Sequence, residues 1–308
     1  MTGALHEDEL PVTTRLVRAL VDDQLPAWAP LPLHRLAASG SDNALFRLGD
    51  ELLVRVPRQP GGSRTIAREA RWLPLVGPAL PVPAPDVVAV GEPAFGYPER
   101  WSVVRWIDGS TPEGAASGAA GAALAADLAA VVTALRGTPV PDEALGDAEL
   151  RLYRGLPLVS RDQGTRESVE QCAGIAGLDL DLDTALAVWD AAVRLPGSSR
   201  VAEPRWHHAD LVAENLLVRD GRLAAVLDFG ALSVGDPTVD LIVAWDVLDA
   251  ASRDVFRGAV GVDDETWLRG RAWALCLALM TFPYYWDSMP ARCANRLAVA
   301  RAVLADAS

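Results

Sequence analysis

Residues Trp206 to Trp245 read WHHADLVAENLLVRDGRLAAVLDFGALSVGDPTVDLIVAW, and their types and spacing suit one kind of chemistry. His208 stands two residues before Asp210, Asn215 follows five residues on, and Asp228-Phe229-Gly230 comes after two short apolar runs joined by Arg219-Asp220-Gly221-Arg222. A carboxylate at Asp210 can accept the proton of an attacking hydroxyl group. The Asn215 amide oxygen and the Asp228 carboxylate can hold Mg²⁺ against the phosphates of a nucleotide. A loop, a hairpin and a second loop would bring these groups to one edge of a small sheet, as phosphoryl transfer requires. Without that chemistry, Asp210 caps a turn, Asn215 satisfies loop backbone and Asp228-Phe229-Gly230 is an ordinary turn after a strand.

Upstream patterning supplies elements that could position them. Leu33 to Ala37, Ala44 to Leu48 and Leu52 to Val56 are short apolar or alternating runs separated by turn residues, which predicts a three-stranded meander. Ser63 opens a segment in which Ile66, Ala70, Leu73 and Val76 recur at helical spacing up to Gly77-Pro78. Val87 to Val90 and Trp101 to Trp106 read as two further strands, so the first lobe is a small sheet with one inserted helix. After Asp108-Gly109-Ser110-Thr111-Pro112 the pattern turns helical, with Leu124, Leu128, Val131 and Leu135 on one face of an Ala-rich helix. Further helical patterns run from Arg166 to Ala176 and Asp183 to Arg194. The chain ends in helices with Pro237, Glu265 and Pro290 at or near their starts. Residues 1–104 are thus expected to form an N-terminal lobe, 105–112 a hinge and 113–308 a larger, mainly helical lobe in an α+β fold.

Composition narrows the partners. The chain has 308 residues, 50% of them apolar, enough for a sizeable core. Its 28 basic residues against 41 acidic ones leave a formal charge of −13, which disfavours nucleic acid and anionic membrane surfaces and mildly favours a cationic small molecule. All basic residues are arginine, so chemistry through a lysine amine, such as a Schiff base, is excluded. Cys172, Cys276 and Cys293 have unrelated spacings that fit neither a disulfide framework nor a zinc site. The acidic start of the chain lacks the pattern of a signal peptide, and the apolar stretch Ala272 to Phe282, closed by Pro283, is short for a membrane span. A cytoplasmic location is expected.

The order of elements, with the His208-x-Asp210, Asn215 and Asp228-Phe229-Gly230 motifs, resembles the aminoglycoside phosphotransferase family, whose fold is similar to that of the protein kinases. The likeness runs from the Leu33 strand to the terminal helices. It implies a two-lobed fold and an ATP- or GTP-dependent O-phosphotransferase, with Asp210 as catalytic base, His208 bracing the catalytic loop, and Asn215 and Asp228 as Mg²⁺ ligands. Asp236 and Asp240 resemble structural acids after the metal-binding loop, and a helix-capping role fits them equally. Arg55 stands where kinases carry a phosphate-binding lysine, and Glu69 is its natural ion-pair partner, with Arg58, Arg68 and Arg71 as competitors. Ser39 or Ser41 could donate to phosphate, although the segment has ordinary hairpin composition. The Arg105 carbonyl and Ile107 amide would meet the purine.

Two departures lie in the catalytic loop, where the family usually has Gly before the catalytic Asp and often His-Pro-Gly before the Asn. This chain has Ala209 and Val212-Ala213-Glu214. Three roles are open for Glu214: facing solvent, touching a cationic acceptor or perturbing the metal site. Asp246, Asp249, Asp263, Asp264 and Glu265 could supply acids for a cationic antibiotic, with Asp287 and Tyr285 the best single pair. Trp245, Trp267 and Trp273 read as core. The leading expectation is phosphorylation of an aminoglycoside-type antibiotic. A macrolide, another antibiotic or a small metabolite is the alternative acceptor, and a nucleotide-binding protein without transfer activity is the alternative class.

Overall fold

Alternation in Asn43–Leu48 buries Ala44, Phe46 and Leu48 on one face, and Val54 and Val56 do the same for the next strand, so both strands share one core. The computed structural model describes residues 8–36, 42–151 and 153–306. The chain divides into two compact units. The first comprises Met1–Pro78, Pro83–Asp108 and Leu227–Ala231, and the second Ala79–Val82, Gly109–Val226 and Leu232–Ser308. The segment Leu227–Ala231 thus joins the first unit, although it lies within the span 113–308 expected to be the second lobe.

The first unit holds α1 (Thr14–Gln24), β1 (Leu33–Arg35), β2 (Asn43–Leu48), β3 (Leu52–Pro57), α2 (Ser63–Val76), β4 (Val87–Gly91) and β5 (Trp101–Arg105). The strands form one antiparallel sheet in the order β1-β2-β3-β5-β4, so β1 to β3 are the expected meander. Helix α1 adds to the one helix read from the sequence. Thr13 caps it by accepting the Leu16 N–H, and Val17, Leu20 and Val21 join the core of Phe46, Val54, Trp101 and Val103. At the start of α2, the Glu99 carboxylate accepts N–H groups from Gly61 at 2.8 Å and Ser63 at 2.7 Å, together with the Ser63 hydroxyl. That contact serves the donors a helix N-terminus leaves open.

The second unit is mainly helical: α3 (Gly118–Gly137), α4 (Asp142–Gly146), α5 (Asp162–Ala173), α6 (Leu182–Val193), α7 (Val243–Val247), α8 (Ala250–Val260), α9 (Asp264–Tyr285) and α10 (Pro290–Ala305). Its strands form two small antiparallel pairs, β6 (Arg205–His207) with β9 (Ser233–Gly235) and β7 (Leu216–Arg219) with β8 (Arg222–Val226). Trp245, Trp267 and Trp273 are buried, as read from their apolar surroundings. Helix α3 has the length and composition of a membrane span. Its Leu124, Leu128, Val131 and Leu135 are nevertheless buried as a core face, and α3 packs on α8 and β6. Pro283 does not close α9 as expected but lies inside its last turn. Proline cannot donate to the Leu279 carbonyl one turn back, and the Cys172 thiol serves that oxygen instead, at 3.6 Å.

Candidate functional site

The chain leaves β6 directly into the loop that carries Asp210. The buried Asp240 carboxylate accepts the His208 N–H at 2.7 Å through Oδ2 and the Ala209 N–H at 2.8 Å through Oδ1. This two-point grip accompanies a left-handed backbone at Ala209, φ +68°, a conformation that favours glycine. Asp210 then donates its N–H to His208 Nδ1 at 3.2 Å. Asn215 Nδ2 donates to the Asp210 carbonyl at 2.9 Å and to Asp210 Oδ2 at 3.1 Å. His208, Asp210 and Asn215 are thus brought together, with the buried His208 tied to the Asp210 backbone rather than to its carboxylate.

An arginine that the sequence reading did not single out completes this arrangement. Arg154 pairs with Asp210 Oδ1 and donates to the Ala209 carbonyl at 2.9 Å. Burial works to raise the Asp210 pKa, but the Arg154 charge, with help from His208 and Arg296, holds the carboxyl below its ordinary value. Asp210 is therefore ionised at neutral pH, as a proton acceptor must be. Arg154 lies in the single 3₁₀ turn Tyr153–Gly155, whose Gly155 carbonyl accepts the Asp236 N–H at 3.0 Å. A Cβ at Gly235 would sit 2.0 Å from that carbonyl oxygen, so this close approach needs glycine there. Asp236 also caps its own 3₁₀ turn through the Thr238 N–H and pairs with Arg269 at 2.8 Å. Both roles open for Asp236 and Asp240 are therefore structural ones.

In the first unit, Arg55 Nη1 lies 2.6 Å from Glu69 Oε2, and Arg55 Nη2 lies 3.7 Å from Asp228 Oδ1. Burial alone would weaken the guanidinium charge, but Glu69 and Asp228 override it and keep its pKa above the ordinary value. Glu69 Oε1 accepts the Phe229 N–H at 3.2 Å, and the Arg68 guanidinium donates to the Gly230 carbonyl. Helix α2 thereby fixes both the phosphate-binding candidate and the Asp228 turn, where Asp228 adopts φ +57°. The nearby arginines are engaged elsewhere, Arg58 with Glu9 at 2.7 Å and Arg71 over the Trp72 ring. Ser39 and Ser41 lie outside the described residues. In the hinge candidate, Arg105 N donates to Asp86 O and Trp106 N to Glu51 O. Among the described residues no backbone carbonyl takes the Ile107 N–H.

The acids gathered for a cationic acceptor do not form a wall. Asp246 accepts the Ala213 N–H and pairs with Arg296. Asp249 and Asp263 cap α8 and α9. Asp264 pairs with Arg257, and Glu265 accepts the Gly197 N–H at 2.6 Å. Helix capping and loop anchoring draw these side chains to separate places. Glu214 takes none of its three open roles alone. It is 40% exposed and is held by Arg292, with Nε 3.0 Å from Oε1. The Arg292 guanidinium lies 5.1 Å from the Tyr285 ring centroid, while Asp287 is exposed between α9 and α10. Arg292 and Arg296 are four residues apart on α10, so one helix face supplies both partners, and that spacing could have revealed them.

Each unit offers a hard oxygen donor. In the second, Asn215 Nδ2 faces Asp210, which turns the amide oxygen away from it; in the first, Asp228 carries a carboxylate. Among the described residues no three His, Cys, Asp or Glu side chains converge. Oxygen donors of this kind suit Mg²⁺, which takes few protein ligands and draws the rest from water and phosphate.

The family model for the phosphotransferase enzyme family matches residues 34–273. The chain belongs to this family. No curated protein sequence matches the phosphotransferase. Among solved structures it is similar to the GDP complex of wild-type aminoglycoside 2′-phosphotransferase-IIIa, with a TM-score of 0.71 and 19% identity over 96% of this chain and 100% of that one. It is also similar to the streptomycin–ATP–APH(2″)-IIa ternary complex, with a TM-score of 0.60 and 17% identity over 89% of this chain and 94% of that one. A third likeness is to macrolide 2′-phosphotransferase MphH from Brachybacterium faecium, with a TM-score of 0.59 and 23% identity over 92% of this chain and 96% of that one. The phosphotransferase thus has the kinase-like fold, with a small antiparallel sheet in one unit and helices dominating the other.

Proposed function

We propose that this phosphotransferase moves the γ-phosphoryl group of ATP or GTP to a hydroxyl group of a small molecule. The observation that carries the reading is Asp210, kept ionised and oriented through Asn215 on a loop gripped by Asp240, in a chain of this family. Asp210 would orient the acceptor hydroxyl and take its proton as the new O–P bond forms and the β-phosphate oxygen leaves. Arg55, kept charged and directed by Glu69, would pair with phosphate oxygens of the donor. Asn215 Oδ1 and the Asp228 carboxylate would hold Mg²⁺, which when bound neutralises charge on the phosphates. The reading places the reaction in the cytoplasm, where both nucleotides are supplied.

An aminoglycoside-type acceptor is supported by the charge of −13. A less charged antibiotic or metabolite is favoured by the engagement of Asp246, Asp249, Asp263, Asp264 and Glu265. The test is incubation of the purified protein with Mg²⁺ and ATP or GTP against pooled hydroxylated antibiotics and amino sugars, read by mass spectrometry for gain of a phosphoryl group. Asp210→Asn should lower turnover by about 10²–10⁴-fold while nucleotide affinity stays near that of the unmodified protein. Undiminished transfer by Asp210→Asn would remove Asp210 from the mechanism. Nucleotide-dependent thermal stabilisation with no product from any acceptor would leave a binding protein instead.

A further inference from the structure

We infer that the acceptor taken at the Asp210 loop carries at most one positive charge and presents an apolar face beside its hydroxyl group; this rests on the phosphotransferase reading above. Four carboxylates of the second unit meet the loop, and three have their own arginine: Asp210 with Arg154, Glu214 with Arg292, and Asp246 with Arg296. The fourth, Asp240, is buried, spends both oxygens on the His208 and Ala209 N–H groups, and its charge is felt at Arg136. The pairs cancel and Asp240 is buried beneath the loop, so the exposed carboxylates of the loop offer no unpaired negative charge. Arg292 stays cationic, because burial opposes its charge and the Glu214 carboxylate overrides that opposition. The fields of Arg154 and Arg296 both reach Asp210, and Asp210 in turn is felt at Arg292. A compound with several ammonium groups would meet these guanidiniums in a partly desolvated setting, where like charges repel more strongly than in water.

Exposed apolar side chains lie on the elements that carry or pack near these arginines. Leu156 lies two residues beyond Arg154 and is 39% exposed, and Val159, in the following 3₁₀ turn, is 42% exposed. That turn packs on α9, with Arg161 Nη2 3.2 Å from Met280 Sδ. One helical turn past Met280, Tyr284 is 58% exposed and stands edge-on to Tyr285, the ring that Arg292 covers. Exposed apolar side chains thus follow Arg154 in the chain and adjoin the Tyr285 ring that Arg292 covers. They suit the body of an uncharged or singly charged acceptor, and the Tyr284 ring suits one ammonium group.

The experiment compares kcat/KM for polycationic aminoglycosides such as kanamycin and gentamicin with that for monocationic macrolides and neutral polyols. Mg²⁺ with ATP or GTP is used throughout, at about 50 and about 300 mM salt. The expected result is at least a roughly tenfold preference for a monocationic or neutral acceptor, nearly flat with salt. Arg292→Gln, which releases the Glu214 carboxylate, should shift the ratio several-fold toward polycations, and Glu214→Gln should shift it the other way, with a thermal melt reporting folding of each variant. A preference for polycations whose kcat/KM falls steeply with salt would overturn the inference and leave the phosphotransferase reading intact. No nucleotide-dependent product from any acceptor would overturn both.

Discussion

Ala209 shows how a single side chain can mark a site. Its left-handed backbone is needed for Asp240 to grip two successive N–H groups, yet the Cβ is strained in that conformation. Ala209→Gly should relieve the strain and stabilise the protein by up to about 1 kcal/mol, a rise of about 2–4 °C in Tm for a chain of this class. A lower Tm in a melt would show that the buried methyl group matters more than the strain. Glu69 tests the opposite case, since its carboxylate is 1% exposed and faces an arginine that is 7% exposed. Glu69→Gln leaves the buried Arg55 charge without its main partner and should destabilise by about 3–5 kcal/mol in urea unfolding. Affinity for ATP should fall with it, because Arg55 loses its direction.

At the scale of elements, Glu99 fastens the start of α2 through three donors. Burial works to raise its pKa, but these hydrogen bonds hold it below the ordinary carboxylate value. The stability it adds is therefore present above the unfolded pKa of about 4.3 and is lost as pH falls through its lower folded value. Glu99→Gln should be less stable than the unmodified protein by about 2 kcal/mol at pH 7, and the gap should narrow in urea titrations repeated below about pH 4. An unchanged gap at both pH values would mean that the carboxylate charge is not what fastens the helix. The strands of the first sheet and helix α2 were legible because their alternation and helical periodicity are local. Helix α1 is less legible, since the acidic residues before Thr13 carry no apolar periodicity to mark a helix start. Arg154 was illegible because a 3₁₀ turn has no periodicity, and its approach to Asp210 depends on Gly155 and Gly235, 80 residues apart in sequence. The acids after Pro237 were visible, but their capping and pairing assignments depend on packing that composition does not carry.

Across the whole molecule, donor binding should be separable from transfer. Saturating Mg²⁺ with ATP at about 100 times its Kd should stabilise the protein by about 2.7 kcal/mol, and removal of Mg²⁺ by a chelator should cancel most of that shift and abolish transfer. A melt indifferent to the chelator would remove the metal from donor binding. The charge-bearing groups divide between the units, with Arg55, Glu69 and Asp228 in the first and Asp210 and Asn215 in the second. The first unit is not continuous along the chain: its sheet and α2 are spelled out by Asp108, but Leu227–Ala231 completes it. Phe229 is fully buried there, and the Glu69 carboxylate and Arg68 guanidinium find further partners on Phe229 and Gly230. During synthesis, the finished sheet and α2 must therefore wait, with Glu69 already paired with Arg55 but the Phe229 N–H and the Gly230 carbonyl not yet supplied, until more than a hundred further residues have left the ribosome. Folding of the first unit is finished by residues that lie in sequence within the second, and a truncated message ending at Asp108 would yield a complete sheet in a unit lacking its final segment.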